Sequence, residues 1–292
     1  MELEASFPFR MKRLKKLFQL FRGHNYFPTI DRSGRLYTLL VMLPEPIRHF
    51  ITHRGERLCS LDVKNSQPFL LSVLFSVRFW SDKAHRFSLK ALQPVMYTAL
   101  KKSGLLLQIR KHIRQVRNSR DVKHYTKLAT TGSMYEYLVA TYGEQHPSLA
   151  TRGEAKQQFM IFLYFNPVYK ELAQHSAYRQ WAADFPNVAT LLELVKQDNY
   201  TYLPRLLQAL EAKLLLQVVV SAFTKHHPGV FITSIHDSLV TLDRKKQELE
   251  ALIRHTYQQH IHHEPEIEVK TLCPENAYAD LPKYVEKKLK AR

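Results

Sequence analysis

Residues 230 to 242 read VFITSIHDSLVTL. Val230, Phe231, Ile232 and Ile235 lie before the His236-Asp237 pair; Leu239, Val240 and Leu242 lie after it. Two apolar, β-branched runs broken by a short polar step predict strand, tight turn and strand. A two-stranded hairpin is marginal alone in water. This segment therefore constrains the rest of the chain, which must supply elements that cover it. It also places a carboxylate at the tip. Asp237 is either a turn residue or half of a metal site, and the hairpin leaves both open.

Candidate partners lie on both sides of a long helical stretch. PRLLQALEAKLLLQVVVSAFTK, 204 to 225, predicts an apolar helix starting at Pro204 and seated against the hairpin. ERLCSLDV, 56 to 63, alternates like a strand and carries Asp62. Before it, DRSGRLYTLL places a turn at Ser33-Gly34 and EPIRHFITH a helix with Pro46 near its start. Residues 65 to 80 look helical, and 88 to 200 almost wholly so. MKRLKKLFQLFR, 11 to 22, forms a short basic amphipathic helix, with Leu14, Leu17, Phe18 and Phe21 on one face and Lys12, Lys15 and Lys16 mostly on the other. A final helix over about 243 to 260 takes Asp243 as its N-cap. His260, His262 and His263 near its end are spaced too irregularly for a clear metal cluster.

Composition narrows the partners. The 292 residues carry 43 Lys and Arg against 26 Asp and Glu, a formal net charge of +17. Such an excess favours a polyanion, with nucleic acid ahead of an anionic membrane surface. One stretch concentrates it. In LLLQIRKHIRQVRNSR, Arg110, Arg114 and Arg117 run beside the apolar stripe Leu106, Ile109, Ile113 and Val116. Each phosphate paired with such an arginine releases a condensed counterion; a solvated face is the alternative. Cys59 and Cys273 are the only cysteines, so a disulfide framework and a thiolate zinc site are not indicated, and a reducing, intracellular setting is expected. No signal-peptide pattern and no membrane-spanning run is read. With eight glycines and no Gly-rich phosphate loop, P-loop and dinucleotide folds lose their main support.

If the 56–63 strand pairs with the hairpin, Asp62 and Asp237 meet at one edge of a small antiparallel sheet. Two adjacent carboxylates repel, and at least one would resist ionisation. Bound divalent cations remove that penalty. Hard oxygen donors of this kind suit Mg²⁺, which keeps waters and takes substrate phosphates as its remaining ligands.

Four segments, in order, resemble the family A DNA polymerases and their relatives, the single-subunit RNA polymerases of phages and mitochondria. DRSGRLY, 31 to 37, resembles the template- and primer-contacting segment, with Arg35 in it. LCSLDVKNSQPFLL, 58 to 71, is similar to motif A, with Asp62 as the first metal ligand and the Val63 carbonyl as another. TRGEAKQQFMIFLYF, 151 to 165, is similar to motif B: Arg152, Lys156, Met160 and Tyr164 recur every four residues on one helix face. Arg152 and Lys156 would grip the triphosphate, and Tyr164 would lie under the sugar and base. SIHDSLV, 234 to 240, is similar to motif C, with Asp237 as the second metal ligand.

The resemblance implies an α+β fold, mostly helical: a polymerase palm of small antiparallel sheet and packed helices, helical fingers, and a thumb absent or minimal. It divides the chain into a basic N-terminal helix (1–30), a first palm segment with motif A (31–75), a helical insertion and fingers with motif B (76–200), and a second palm segment with motif C and a C-terminal helix (201–292). It implies template-directed nucleotidyl transfer with two Mg²⁺ ions, for which Mn²⁺ can substitute. DNA template and primer or nascent strand are the implied partners, with nucleoside triphosphates as substrates and a further protein supplying thumb or processivity. Lys156 would also protonate the leaving group.

The chain departs from the family's pattern in several places, one being a segment from Lys156 to Asp237 shorter than is usual. Phe165 follows Tyr164 where a glycine is usual, Gln208 is the nearest counterpart of a Gln-Gly helix, and about thirty residues precede DRSGRLY. Five residues after Asp62 stands Gln67. The DNA enzymes usually carry Glu there and the RNA enzymes Gly. Bulk at Gln67 favours deoxynucleotides; Ser238, Met160 and the form of DRSGRLY look like the RNA enzymes. DNA synthesis is therefore expected ahead of a primase or small RNA polymerase. A nucleic-acid-binding subunit that needs a partner for activity is the alternative of another class.

Overall fold

The computed structural model describes residues 29–30, 36–83, 85–166, 176–235 and 237–290. The helix expected over 11–22 with Lys12, Lys15 and Lys16, the turn at Ser33-Gly34 with Arg35, and His236 lie outside the described residues. The expected class holds: the chain is α+β, mostly helical with a small antiparallel sheet.

In chain order, β1 (Thr29–Ile30) pairs with β2 (Leu36–Tyr37). Two single-turn helices come next, α1 (Leu39–Met42) and α2 (Glu45–Arg48). The second is much shorter than EPIRHFITH predicts, because β3 (Thr52–His53) takes its end. Arg54 and Gly55, at φ 54° and 81°, turn the chain into β4 (Glu56–Val63). Positive φ at both residues of a two-residue loop matches the right-handed twist of a hairpin. The helical run comprises α3 (Ser66–Val73), α4 (Leu89–Leu92), α5 (Pro94–Lys102), α6 (Leu105–Val116), α7 (Arg120–Thr130), α8 (Met134–Tyr142), α9 (Arg152–Tyr164), α10 (Ser176–Asp184), α11 (Pro186–Lys196) and α12 (Tyr202–His226). The hairpin is β5 (Ile232–Ile235) and β6 (Ser238–Leu242). Then come α13 (Lys246–Ile261), β7 (Ile267–Leu272) and α14 (Pro274–Lys290).

The chain forms two compact units. One comprises residues 1–62, 224–249 and 269–292; the other comprises 63–223 and 250–268. The first is built on the sheet, in strand order β3-β4-β6-β5 with β7 also pairing β4. Leu40, Leu43, Leu58, Ile235, Val240, Leu242 and Leu272 make its core. α14 packs on α2. There the buried His49 meets Asp280 at 3.0 Å, and Lys270 pairs with the same carboxylate.

The second unit is helical and aromatic. Trp181 lies among Phe159, Phe162, Tyr178 and Phe185, with ring centroids 5.7 to 5.9 Å apart. Large rings of this kind each bury 150–250 Å² or so and dominate core energetics. The sequence places α12 on the hairpin; helices of its own unit, α3, α4, α9 and α11, are what bury its first half. Leu203, Leu206, Leu207 and Leu210 are fully buried. The helix widens to π geometry over Lys213–Val220. By length and composition α12 could cross a membrane, with mean hydropathy 1.6, against the expectation that the chain has no such run; half of that stretch is buried inside the protein.

The C-terminal third departs from expectation. Asp243 is not an N-cap: it opens a 3-10 turn, Asp243–Lys245, ahead of α13. Its carboxylate accepts from Thr271 Oγ1 at 2.7 Å and Lys246 Nζ at 3.2 Å. β7 and α14, beyond the last predicted helix, complete the sheet unit. IEVKTL alternates and Pro274 stands at the helix start, so both signals were present in the sequence.

Candidate active site

β4 and β6 pair antiparallel in a register that runs from Leu58 opposite Leu242 to Asp62 opposite Ser238. β5 pairs with β6 up to Ile235 opposite Ser238, leaving His236 and Asp237 as the connecting residues. Cross-strand Cα atoms lie about 4.5–5.5 Å apart, and Asp237 is the residue next to Ser238. Its Cα is therefore within about 9 Å of that of Asp62. Two carboxylates 175 positions apart in the sequence come to one end of one sheet. The Ser238 hydroxyl donates to the Ile235 carbonyl at 2.8 Å and closes the turn from inside. Asp62 and Asp237 are half-buried, and the Oδ1 of Asp62 has almost no solvent exposure.

The donor set fits a hard divalent cation: two carboxylates on rigid main chain, with no Lys or Arg salt bridge to Asp237 among the described residues. No group of three or more His, Cys, Asp or Glu suited to a metal occurs among the described residues. Mg²⁺ here would thus complete its shell with water or phosphate oxygen. Val63, proposed to lend its carbonyl, is the last residue of β4 and is buried.

The chain turns abruptly after β4. Lys64 N–H donates to the Glu266 carbonyl at 2.9 Å. Asn65 then takes the left-handed conformation, φ 52° and ψ 38°, as N-cap of α3. Asn is among the few non-glycine residues that visit this region readily. One turned residue converts strand into helix, so Gln67 lies in the first turn of α3, five residues after Asp62.

Within the helical unit Gln67 is 8% exposed and held from both ends. Its Nε2 donates to Glu211 Oε1 at 3.0 Å, and its Oε1 accepts from the Tyr164 hydroxyl at 2.6 Å. Ser66 Oγ donates to the same Glu211 oxygen at 2.7 Å. A carboxylate only accepts. Glu211 therefore turns the amide nitrogen of Gln67 toward itself and its oxygen toward Tyr164, which commits the phenolic hydrogen of Tyr164. Glu211, 2% exposed on α12, is a residue that the motifs do not point to. Gln208, the one they do point to, is half-buried one turn earlier.

The four-residue spacing of motif B does form one helix. α9 starts with a capping box in which Thr151 and Glu154 satisfy each other's backbone N–H groups. Lys156 and Arg152 are exposed, and Met160 and Tyr164 half-buried. Arg152 Nε donates to Glu136 at 2.6 Å, and its guanidinium lies 5.6 Å from the Tyr135 ring centroid. At the other end of the helix Phe165 carries the Lys196 ammonium 4.2 Å above its ring. Lys196 Nζ also donates to the Phe162 and Leu163 carbonyls at 3.3 and 3.2 Å. A buried cation thus caps this helix C-terminus, as the backbone dipole favours. Burial lowers its pKa to about 8.

The arginine stripe separates into different environments. Arg110 donates to both oxygens of Asp82, at 3.0 and 2.9 Å, and to the Trp80 carbonyl at 2.6 Å. The Arg110 guanidinium and the Tyr97 hydroxyl hold Asp82 far below the usual carboxylate range. Arg110 is a tether for the 80–82 loop. Arg114 and Arg117 are exposed. His260 packs on Phe87, ring centroids 4.5 Å apart.

No family model matches the chain, and no curated protein matches it. Among solved structures it is similar to the POL domain of Pol1 from M. smegmatis in complex with DNA primer-template and dNTP, at TM-score 0.49 and 15% identity. The match covers 83% of this chain and 46% of that one. The chain therefore spans less than half the length of the polymerase structure it matches.

Proposed function

We propose that the chain is a template-directed nucleic-acid polymerase, a nucleotidyltransferase acting on nucleoside triphosphates. One observation carries the reading: the β4–β6 register brings the motif A aspartate beside the motif C turn. The motif resemblance and the net charge of +17 support it. On this reading the sheet unit serves as palm and the helices around α9 as fingers. Asp62 and Asp237 hold the metals, with the Val63 carbonyl beside them. Two bound Mg²⁺ ions would activate the 3′-hydroxyl and stabilise departing pyrophosphate. Lys156, exposed on α9, offers its charge to the triphosphate, where a positioned cation acts most strongly as charge develops. Arg152 helps bind the nucleotide after exchanging Glu136 for phosphate. Tyr164 supports sugar and base, and Arg35, Gln208, Arg114 and Arg117 remain candidates for substrate or strand contact. Template, primer and an added protein factor are the partners, in an intracellular setting.

DNA synthesis is the reading we place first, on the bulk of Gln67. RNA synthesis is favoured by a specific observation: with Gln67 tied back to Glu211 and only 8% exposed, little of its bulk is left to exclude a ribose hydroxyl. The deciding test is extension of a primed template with Mg²⁺ and dNTPs or NTPs in separate tubes, using wild type, Asp62→Asn and Asp237→Asn. Extension by wild type alone is expected. Wild-type-like extension by either variant refutes the carboxylate assignment.

A further inference from the structure

A pocket of about 860 Å³ opens within the helical unit, lined by residues of 72–130 and 259–263. It contains neither Asp62 and Asp237 nor any residue of α9. Its volume is that of a site for a drug-sized ligand. Arg78, Arg86, Arg117, Lys123 and Lys127 line it, all exposed. His85, His260, His262 and His263 add four imidazoles, and no Asp or Glu is among the described lining residues. Its inner wall includes three aromatic rings, Phe75, Phe79 and Phe87, 6%, 2% and 6% exposed, beside Val73, Val122 and Ile261, with His260 packed on Phe87.

A cationic rim without internal counter-charge is costly to assemble. His260 shows this: burial lowers its pKa first, and repulsion from Arg86, His255 and His262 lowers it further. A solvated charge run needs no concavity and no aromatic wall. A free phosphate would use the rim and leave the rings unused. Intact duplex keeps its bases stacked inside and could touch only the rim. A single strand uses both parts, phosphates on the cations and an unstacked base against the rings.

We infer that this pocket binds a single-stranded nucleic-acid segment, seating phosphodiester groups on Arg86, Arg117, Lys123 and Lys127 and a base against its aromatic wall. The site explains why Arg117 stands exposed where Arg110 is tethered. It is independent of nucleotidyl transfer, so binding is measured without catalysis.

The test measures binding of a fluorescent oligothymidylate across a salt series. Wild type is compared with the triple variant Arg86→Glu, Lys123→Glu, Lys127→Glu. A control of equal charge change, Lys101→Glu, Lys102→Glu, Lys111→Glu, substitutes exposed residues outside the pocket. The pocket variant is expected to bind at least tenfold more weakly than the control, and to flatten the slope of log K against log salt by about two units, at roughly 0.7 per lost single-strand contact. Equal loss in both variants overturns the site, since long-range charge would then account for it. Wild type supplies a second arm that needs no substitution. An abasic oligonucleotide of the same length should bind several-fold more weakly, because stacking is worth about 1–3 kcal/mol per base. Equal affinity for abasic strand, or full displacement of oligothymidylate by equimolar tripolyphosphate, overturns a strand with its base in the pocket.

Discussion

Asp62 and Asp237 are brought together by main-chain pairing, with the register from Leu58–Leu242 to Asp62–Ser238 fixing where they stand. Gln67, Tyr164 and Glu211 are brought together by side-chain hydrogen bonds between three helices. The two regions therefore fail differently. On the proposed reading, changing a carboxylate at the sheet end removes chemistry and leaves the ladder intact. Changing Gln67 or Glu211 leaves hydrogen-bond donors without their acceptor, so stability suffers and, on the proposed reading, selectivity with it.

The sharpest way to break this comparison is at the carboxylates. Asp62→Asn or Asp237→Asn should abolish incorporation, a loss of several orders of magnitude if both ions depend on the pair. Neither should lower the thermal midpoint appreciably, since relieving like-charge repulsion offsets small losses. A large fall in midpoint would mean that the aspartates are structural. Next in size is Lys156→Ala, expected to slow single-turnover incorporation by about 10²–10³. Arg152→Ala should act mainly on nucleotide affinity. Normal kinetics in both variants would return α9 to an ordinary surface helix.

The trio should respond on two axes. Glu211→Leu leaves the Ser66 and Gln67 donors buried without their acceptor, at about 1–3 kcal/mol each. The melting midpoint should fall by several degrees, since about 1 kcal/mol moves a domain this size by roughly 2–4 °C. Glu211→Gln keeps the volume but can donate as well as accept, so the Gln67 amide loses its fixed orientation. The ratio of dNTP to NTP incorporation should change in Glu211→Gln while metal dependence does not. On the DNA-synthesis reading, in which Gln67 is the gate, Gln67→Gly should raise relative NTP use by about a hundredfold, each 1.4 kcal/mol of differential binding being worth about tenfold; on the RNA-synthesis reading it should change little. An unmoved ratio in both variants would place sugar choice elsewhere.

A pH dependence is expected at Lys196. Its folded pKa of about 8 lies below the ordinary lysine value of 10.5. Between those values the unfolded chain binds more protons than the folded one, so stability from this residue rises with pH across the window. The unfolding free energy of wild type relative to Lys196→Met should increase from pH 8 to 10.5. A flat difference would mean that the ammonium over Phe165 is not penalised by burial.

The carboxylate pair is legible in the sequence because its determinants are local. Alternation over 56–63, β-branched runs around 236–237 and turn chemistry each leave a mark within a dozen residues. The trio is half legible. Gln67 and Tyr164 are found through the resemblance to motifs A and B, whereas Glu211 owes its role to neighbours about 145 positions away. One signal was present: a lone carboxylate in LLQALEAKLLL, four residues after Leu207 and thus on the apolar face of its helix. Arg110 misleads for the opposite reason. Its spacing matches that of Arg114 and Arg117, but spacing says nothing of Asp82, which reaches it from an irregular loop. β7 and α14 escape a sequence reading because the His-rich end of α13 resembles a frayed terminus, and a single six-residue strand beyond it has no neighbour in sequence to pair with.

The sheet unit is discontinuous along the chain, drawn from 1–62, 224–249 and 269–292. Its central strand β4 leaves the ribosome long before its neighbours β6 and β7. Pairings of such large sequence separation carry a loop-closure cost and form late, whereas the helical run between them makes contacts nearer in sequence and can order as it emerges. During synthesis β4 therefore waits with only β3 beside it while the more than 160 residues between β4 and β5 are made. The alternation that lets Leu58, Leu61 and Asp62 find their register also makes this strand the segment most exposed to mispairing in a nascent chain. A translation product that stops before β6 would lack the completed sheet and also residues 259–263, without which the basic pocket has only one of its two walls.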